Sequence, residues 1–219
     1  MKDADEPRII DGWLIAPNGR LPGVVNWCGT VDYLADASSF ESAATTLVRG
    51  WQQLTDDGLI KPILYLHRHA IELHLKAAIE IANKCVADPF VDNDRWLRNP
   101  KGGGHSLKRL TERLLNLLAR PELGVENLPL GPDGLEGRLL LELDALDPGG
   151  DELRYPTRWD AEAQRTVTTR MPGGADTLDA SVLIDVERMG ADLAHLNAYL
   201  GGIHDWLYEE RYTQQFAEG

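Results

Sequence analysis

The sequence predicts a mainly α-helical protein: a bundle of about five helices with a small N-terminal hairpin and an extended insert before the last helix. Three observations carry this. Between Leu59 and Lys84 the apolar residues Ile63, Leu64, Leu66, Ala70, Ile71, Leu73, Ala77, Ala78 and Ile81 recur at spacings of three and four, the pattern of a helix with a broad buried face. Shorter stretches before and after it repeat that period. Turn-punctuated, strand-like runs are confined to residues 1–30 and 151–174.

Residues 1–38 form an N-terminal extension in which Asp11-Gly12 and Asn18-Gly19 punctuate short apolar runs, a hairpin signal. The bundle occupies residues 39–219. Its first helix is expected after Ser39, capped by Ser38 or Ser39, with Phe40, Ala44, Leu47, Val48 and Trp51 as the apolar stripe. Asp56-Asp57-Gly58 ends it. The central helix follows, with Pro62 in its first turn, where a missing N–H costs little.

Residues 86–104 are polar and turn-rich and read as a surface loop, mobile from Lys101 to Gly104. Helix resumes at His105 and Ser106, with Leu107, Leu110, Leu114, Leu115 and Leu118 on one side, and stops before Pro121. A shorter helix runs from Leu135 to Leu146 and is closed by Asp147-Pro148-Gly149-Gly150. An irregular insert near residues 150–175, an extended loop or small hairpin, leads into a long last helix from Asp179 to about Gln215 with a flex point at Gly201-Gly202. Internal repeats and low-complexity segments are absent from the sequence.

A chain of 219 residues buries a substantial core without staples. Cys28 and Cys85 make no Cys-x-x-Cys pair, which fits a reducing, cytoplasmic setting and argues against structural zinc. No basic-plus-apolar secretion signal and no run of about 20 apolar residues occurs, so no membrane association is expected. The net charge of −13 opposes broad coating of DNA or RNA, although a small basic cleft remains compatible with it.

The chemically suggestive residues cluster on the central helix. Arg68-His69 followed by His74 combines a planar donor fork suited to phosphate with an imidazole suited to proton transfer, the parts needed for RNA cleavage without a metal or cofactor. A six-residue offset turns Arg68 and His74 about 120° apart on a regular helix, so one helix does not aim both at one atom, whereas two copies in a symmetric dimer bring an arginine and a histidine from each. The packing alternative is that Arg68, Glu72 and Lys76, spaced by four, form helical charge pairs while His67, Ile71 and His74 line the core. His67 and His74 are too far apart for one metal ion, and no His-Glu-x-x-His pattern occurs. His105 reads as a loop group or a neighbour of the Ser106 cap, Arg154 as a loop anchor or added positive charge. Glu136, Glu142, Asp144, Asp147, Asp151 and Glu152 read as a solvated acidic face.

Arg68-His69-Ala70-Ile71-Glu72-Leu73-x-Leu75-Lys76 on a central helix, Gly104-His105-Ser106-Leu107 opening the next, and Arg154-Tyr155-Pro156 resemble the HEPN (higher eukaryotes and prokaryotes nucleotide-binding) superfamily over roughly residues 40–205. The resemblance implies a bundle of four or five helices, commonly homodimeric, found in toxin–antitoxin, phage-defence and RNA-processing settings. It implies a metal-independent ribonuclease in which His74 moves the proton, Arg68 stabilises the phosphorane and His69 assists. Glu72, Lys76, His105 and Arg154 are then substrate-binding candidates, and RNA and an antitoxin or other defence-system protein are the partners. The alternative on the same bundle is a non-catalytic module that binds a nucleotide or a protein, which the acidity and the missing basic patch favour. The orientation of Arg68 and His74 discriminates: burial in intramolecular pairs favours the module, an open groove favours catalysis.

Overall fold

The computed structural model describes residues 32–54, 56–99, 104–125, 128–150, 153, 157–160, 165–168 and 184–212. The hairpin expected in residues 1–30 and the Arg154-Tyr155-Pro156 motif lie outside them. The described residues form a mainly α-helical bundle, as the periodicity predicts. Helix α1 spans Tyr33–Leu54, α2 Ile60–Lys84, α3 Asn93–Arg98, α4 Leu107–Leu118, α5 Leu135–Leu146 and α6 Val186–Leu207. Within the expected insert, strands β1 (Thr157–Asp160) and β2 (Arg165–Thr168) pair antiparallel, with Thr157 opposite Thr168.

Helix α1 begins earlier than the serines suggest. Asp32 Oδ1 accepts from the amides of Leu34 (3.0 Å) and Ala35 (3.4 Å), satisfying the first free donors, while the Ser38 and Ser39 hydroxyls donate back to the carbonyls of Leu34 and Ala35. The bundle therefore starts inside the segment assigned to the N-terminal extension. A 3₁₀ turn over Asp57–Leu59, capped by the Asp56 side chain on the amide of Gly58, carries the chain into α2.

Helix α2 is the axis of the bundle, packed against α1, α4 and α6. Ile63, Ile71, Leu75, Ala78 and Ile79 are wholly buried. Helix α1 lies antiparallel to it, since Tyr33 reaches Lys76 while Phe40 meets His69. Helix α6 runs parallel to it, with Asn197 at His67 and Gly201 at His74.

Two further stretches depart from the sequence reading. Residues 93–98, expected in a surface loop, are a short helix held by tertiary contacts. Arg113 of α4 donates to Asn93 Oδ1 (3.1 Å) and lays its guanidinium over the rings of Phe90 (3.9 Å) and Trp96 (4.3 Å). Gly104, expected in a mobile run, is buried, with the carbonyls of Trp96 and Leu97 where a side chain would stand. Helix α6 starts at Val186 on an Asp185 cap, not at Asp179, and passes unbroken through Gly201-Gly202 before a π-helical turn at Tyr208–Tyr212. Among the described residues, no helix is long and apolar enough to cross a membrane.

Ser106 caps α4 as expected, accepting from the amide of Arg109 (3.3 Å), and its hydroxyl donates to Asp144 Oδ1 of α5 (3.0 Å). One side chain thus finishes a helix and ties it to its neighbour. Ser106→Ala is expected to cost about 0.5–2 kcal/mol, read by equilibrium urea unfolding; an unchanged midpoint would show that the cap and the tie contribute nothing.

Candidate functional site on the central helix

The residues singled out on α2 leave the helix in different directions. Arg68 points at the ends of α4 and α5. Its Nη1 donates to Glu72 Oε2 (2.9 Å), its Nη2 to the carbonyls of His105 (2.7 Å) and Asp147 (3.0 Å), and its Nε to the Asp147 carbonyl (3.2 Å) while also standing 3.2 Å from Asp147 Oδ2. All three nitrogens are engaged within the chain, and the side chain is 2% exposed. His69 faces α1, edge-on to Phe40 and stacked on Tyr65. His74 faces the gap between α1 and α6, with Glu41 Oε2 3.7 Å from its Nε2 and Gly201 against its ring. The three proposed catalytic groups are therefore not brought together in one protomer, in keeping with the angular offset.

Three of the four substrate-binding candidates do converge, around Glu72. Its Oε1 accepts from Lys76 Nζ (2.8 Å) and lies 2.8 Å from His105 Nδ1, and its Oε2 takes Arg68. Arg154 lies outside the described residues. Glu72 and Lys76 are buried, and the His105 side chain is 30% exposed. Burial alone would raise the Glu72 carboxyl; the hydrogen bond from His105, the charge and hydrogen bond of Lys76 and the charge of Arg68 outweigh it and bring it down to about 2. An ionised Glu72 only accepts, so His105 carries its proton on Nδ1 and in the neutral ring leaves Nε2 as the acceptor.

Asp147 is the member of this network that the sequence reading misplaced. Read as part of a solvated acidic face, it is wholly buried, because the turn through Asp147–Gly150 folds over the Arg68 guanidinium. Gly150 closes that turn at φ +74°, and a Cβ there would stand 3.2 Å from Arg68 Nη1. Glu136 is buried too, bonded to His195 Nε2 (3.0 Å), and Asp144 accepts from Ser106; Glu142 is exposed as expected. The Asp-Pro-Gly-Gly sequence signals a helix stop, and nothing in it says that the stop is also a clamp.

Along the α2–α6 seam, His67 and His74 are buried and uncharged at neutral pH. Burial lowers both to about 4; for His74, nearby His204 lowers it further and Asp205 opposes. Asn197, unremarked in the sequence, donates from Nδ2 toward His67 Nδ1 (3.2 Å) and to the Leu193 carbonyl (2.9 Å).

Chemically, the Glu72 cluster is balanced: two cations, Arg68 and Lys76, face two carboxylates, Glu72 and Asp147. Every nitrogen of the guanidinium fork is already bonded, so it offers no preformed phosphate cradle. Among the described residues, no group of three or more His, Cys, Asp or Glu side chains is arranged to hold a metal ion. No family model matches the chain, and neither a curated protein nor a solved structure matches it.

Proposed function

We propose that this chain is a HEPN-like helical module that acts by binding rather than by cutting RNA. The observation that carries the reading is the engagement of Arg68: its nitrogens bond Glu72, the His105 carbonyl and the Asp147 carbonyl, in a side chain almost wholly buried. A catalytic arginine that must meet a phosphate in the transition state would have to give up these bonds and strand two buried carboxylates. His74, its proposed partner, is buried on another side of the same helix.

The net charge of −13 favours a protein partner with a basic surface over a nucleic acid. The HEPN resemblance is what suggests a cytoplasmic homodimer whose partner is a protein of a toxin–antitoxin or phage-defence system. The Glu72 network then serves as internal scaffolding that fixes α2, α4 and α5 for that surface.

Incubation of the protein with total and transfer RNA in EDTA tests this. Wild type and a folded His74→Ala variant are both expected to leave the RNA at the no-protein background. Metal-independent cleavage by wild type that His74→Ala abolishes would overturn the binding reading and place a composite site between two protomers.

A further inference from the structure

The polar network on the α4–α5 side of α2 is balanced in charge, each buried carboxylate facing a cation. The seam on the α6 side leaves ring nitrogens without a hydrogen-bond partner among the described residues. His67 is wholly buried, and its Nδ1 accepts from Asn197 Nδ2, whose other hydrogen goes to the Leu193 carbonyl. The neutral ring therefore carries its proton on Nε2, which has no hydrogen-bond partner among the described residues. His74, 3% exposed and two turns further on, has no hydrogen-bond partner for either ring nitrogen among the described residues, and Glu41 Oε2 stands 3.7 Å from its Nε2, beyond hydrogen-bond reach. A second proton on either ring lacks a hydrogen-bond acceptor within reach among the described residues. On His67 it places an N–H against the Asn197 amino group. On His74 it creates a cation faced by Glu41 from α1 and by His204 and Asp205 from α6, with the backbone of α6 at Gly201 closing the space. Glu41 is the near counter-charge, yet burial raises its own carboxyl, so acid weakens that charge as well.

We propose that the seam between α2 and α6 is an acid-sensitive latch: protonating His67 and His74 frees α6 from α2 while α4 and α5 stay clamped to α2 through Arg68 and Glu72. The selectivity lies in the contrast between the two sides of the helix. Glu72 keeps its charge down to about pH 2, so the Arg68 clamp persists through mild acid. The histidines need burial in the neutral form, which water no longer favours below their ordinary range. Their folded pKa lies below the unfolded one, so the contribution of α6 docking is complete above about pH 6.5 and is lost as pH falls toward about 4. Release exposes the stripe of Leu193, Leu196, Leu200 and Leu207 that α6 buries in the core.

Hydrogen exchange on the full chain, corrected for the intrinsic pH dependence of amide exchange, tests the latch. Between pH 7.5 and 5 the opening constant of α6 is expected to rise roughly thirtyfold per histidine, while α4 changes less than about threefold. His74→Met removes one titrating ring at similar volume and is expected to cut the α6 response by about thirtyfold. Equal loss of protection in α4 and α6, or a pH-independent α6, overturns the proposal. Should the variant fold poorly, the ring signals of His67 and His74 in the wild type decide: they are expected not to titrate from pH 8 to 5 in molecules whose α6 is protected, and titration of either ring there overturns it.

Discussion

Arg68→Ala is expected to lower the unfolding free energy by about 3–5 kcal/mol at pH 7, a large part of the roughly 5–15 kcal/mol that holds such a domain. The substitution removes the charge that faces both Glu72 and Asp147, each almost wholly buried, and leaves Lys76 alone against two carboxylates. It also takes the Arg68 donor from the His105 carbonyl and leaves the Asp147 carbonyl with the Gly150 amide. Arg68→Lys is expected to recover only part of the loss, because an ammonium is a point charge on a flexible stem and cannot reach Glu72, His105 and Asp147 with fixed geometry. Guanidinium chloride unfolding of the three proteins checks this; a loss below about 1 kcal/mol for Arg68→Ala would mean that the guanidinium is not the clamp described above.

Leu75→Ala is the second large effect. Leu75 is wholly buried in the middle of α2, one position before Lys76, and belongs to the cluster that gathers side chains from α4, α5 and α6. Truncating it forfeits the burial of three carbons and leaves a cavity that packed helices fill only in part, expected to cost about 2–5 kcal/mol. The same unfolding experiment reads it. A cost under about 1 kcal/mol would indicate that the bundle collapses freely around α2 and that its core is loosely specified. The two substitutions also separate two kinds of loss: Leu75→Ala weakens the whole bundle at any pH, whereas Arg68→Ala falls on the ends of α4 and α5.

The helices were legible where local pattern and tertiary demand agree. The apolar period marked α2 nearly to the residue, and Ser106 and Pro121 bracketed α4. The reading failed where a remote side chain decides the local structure. Residues 93–98 are helical because Arg113, twenty positions away, bonds Asn93 and covers Phe90 and Trp96, and no window around Asn93 contains that information. The start of α1 was misplaced for a smaller reason: Asp32 and the two serines are all competent caps, and burial of Ala37 extends the helix back to Asp32.

For the site, the spacing of Arg68, Glu72 and Lys76 pointed to charge pairs, and those pairs exist. What spacing does not carry is depth. A run of four-spaced charges looks the same on a solvated face as in a core, and Asp147, which lets Arg68 be buried, lies 79 residues away in sequence. The sequence places His105 beside the Ser106 cap; its bond to Glu72 depends on how α4 meets α2, which only the fold sets.

The Arg68 clamp takes hold of α4 and α5 largely through main-chain oxygens. A carbonyl is present whatever side chain the residue bears, so a substitution at position 105 keeps the bond to Arg68 and gives up only the imidazole bond to Glu72. Substitutions in the exposed parts of these two connections would then alter what the surface presents while the internal anchor stays the same. A bundle built in this way separates the residues that hold its shape from those that its surface presents.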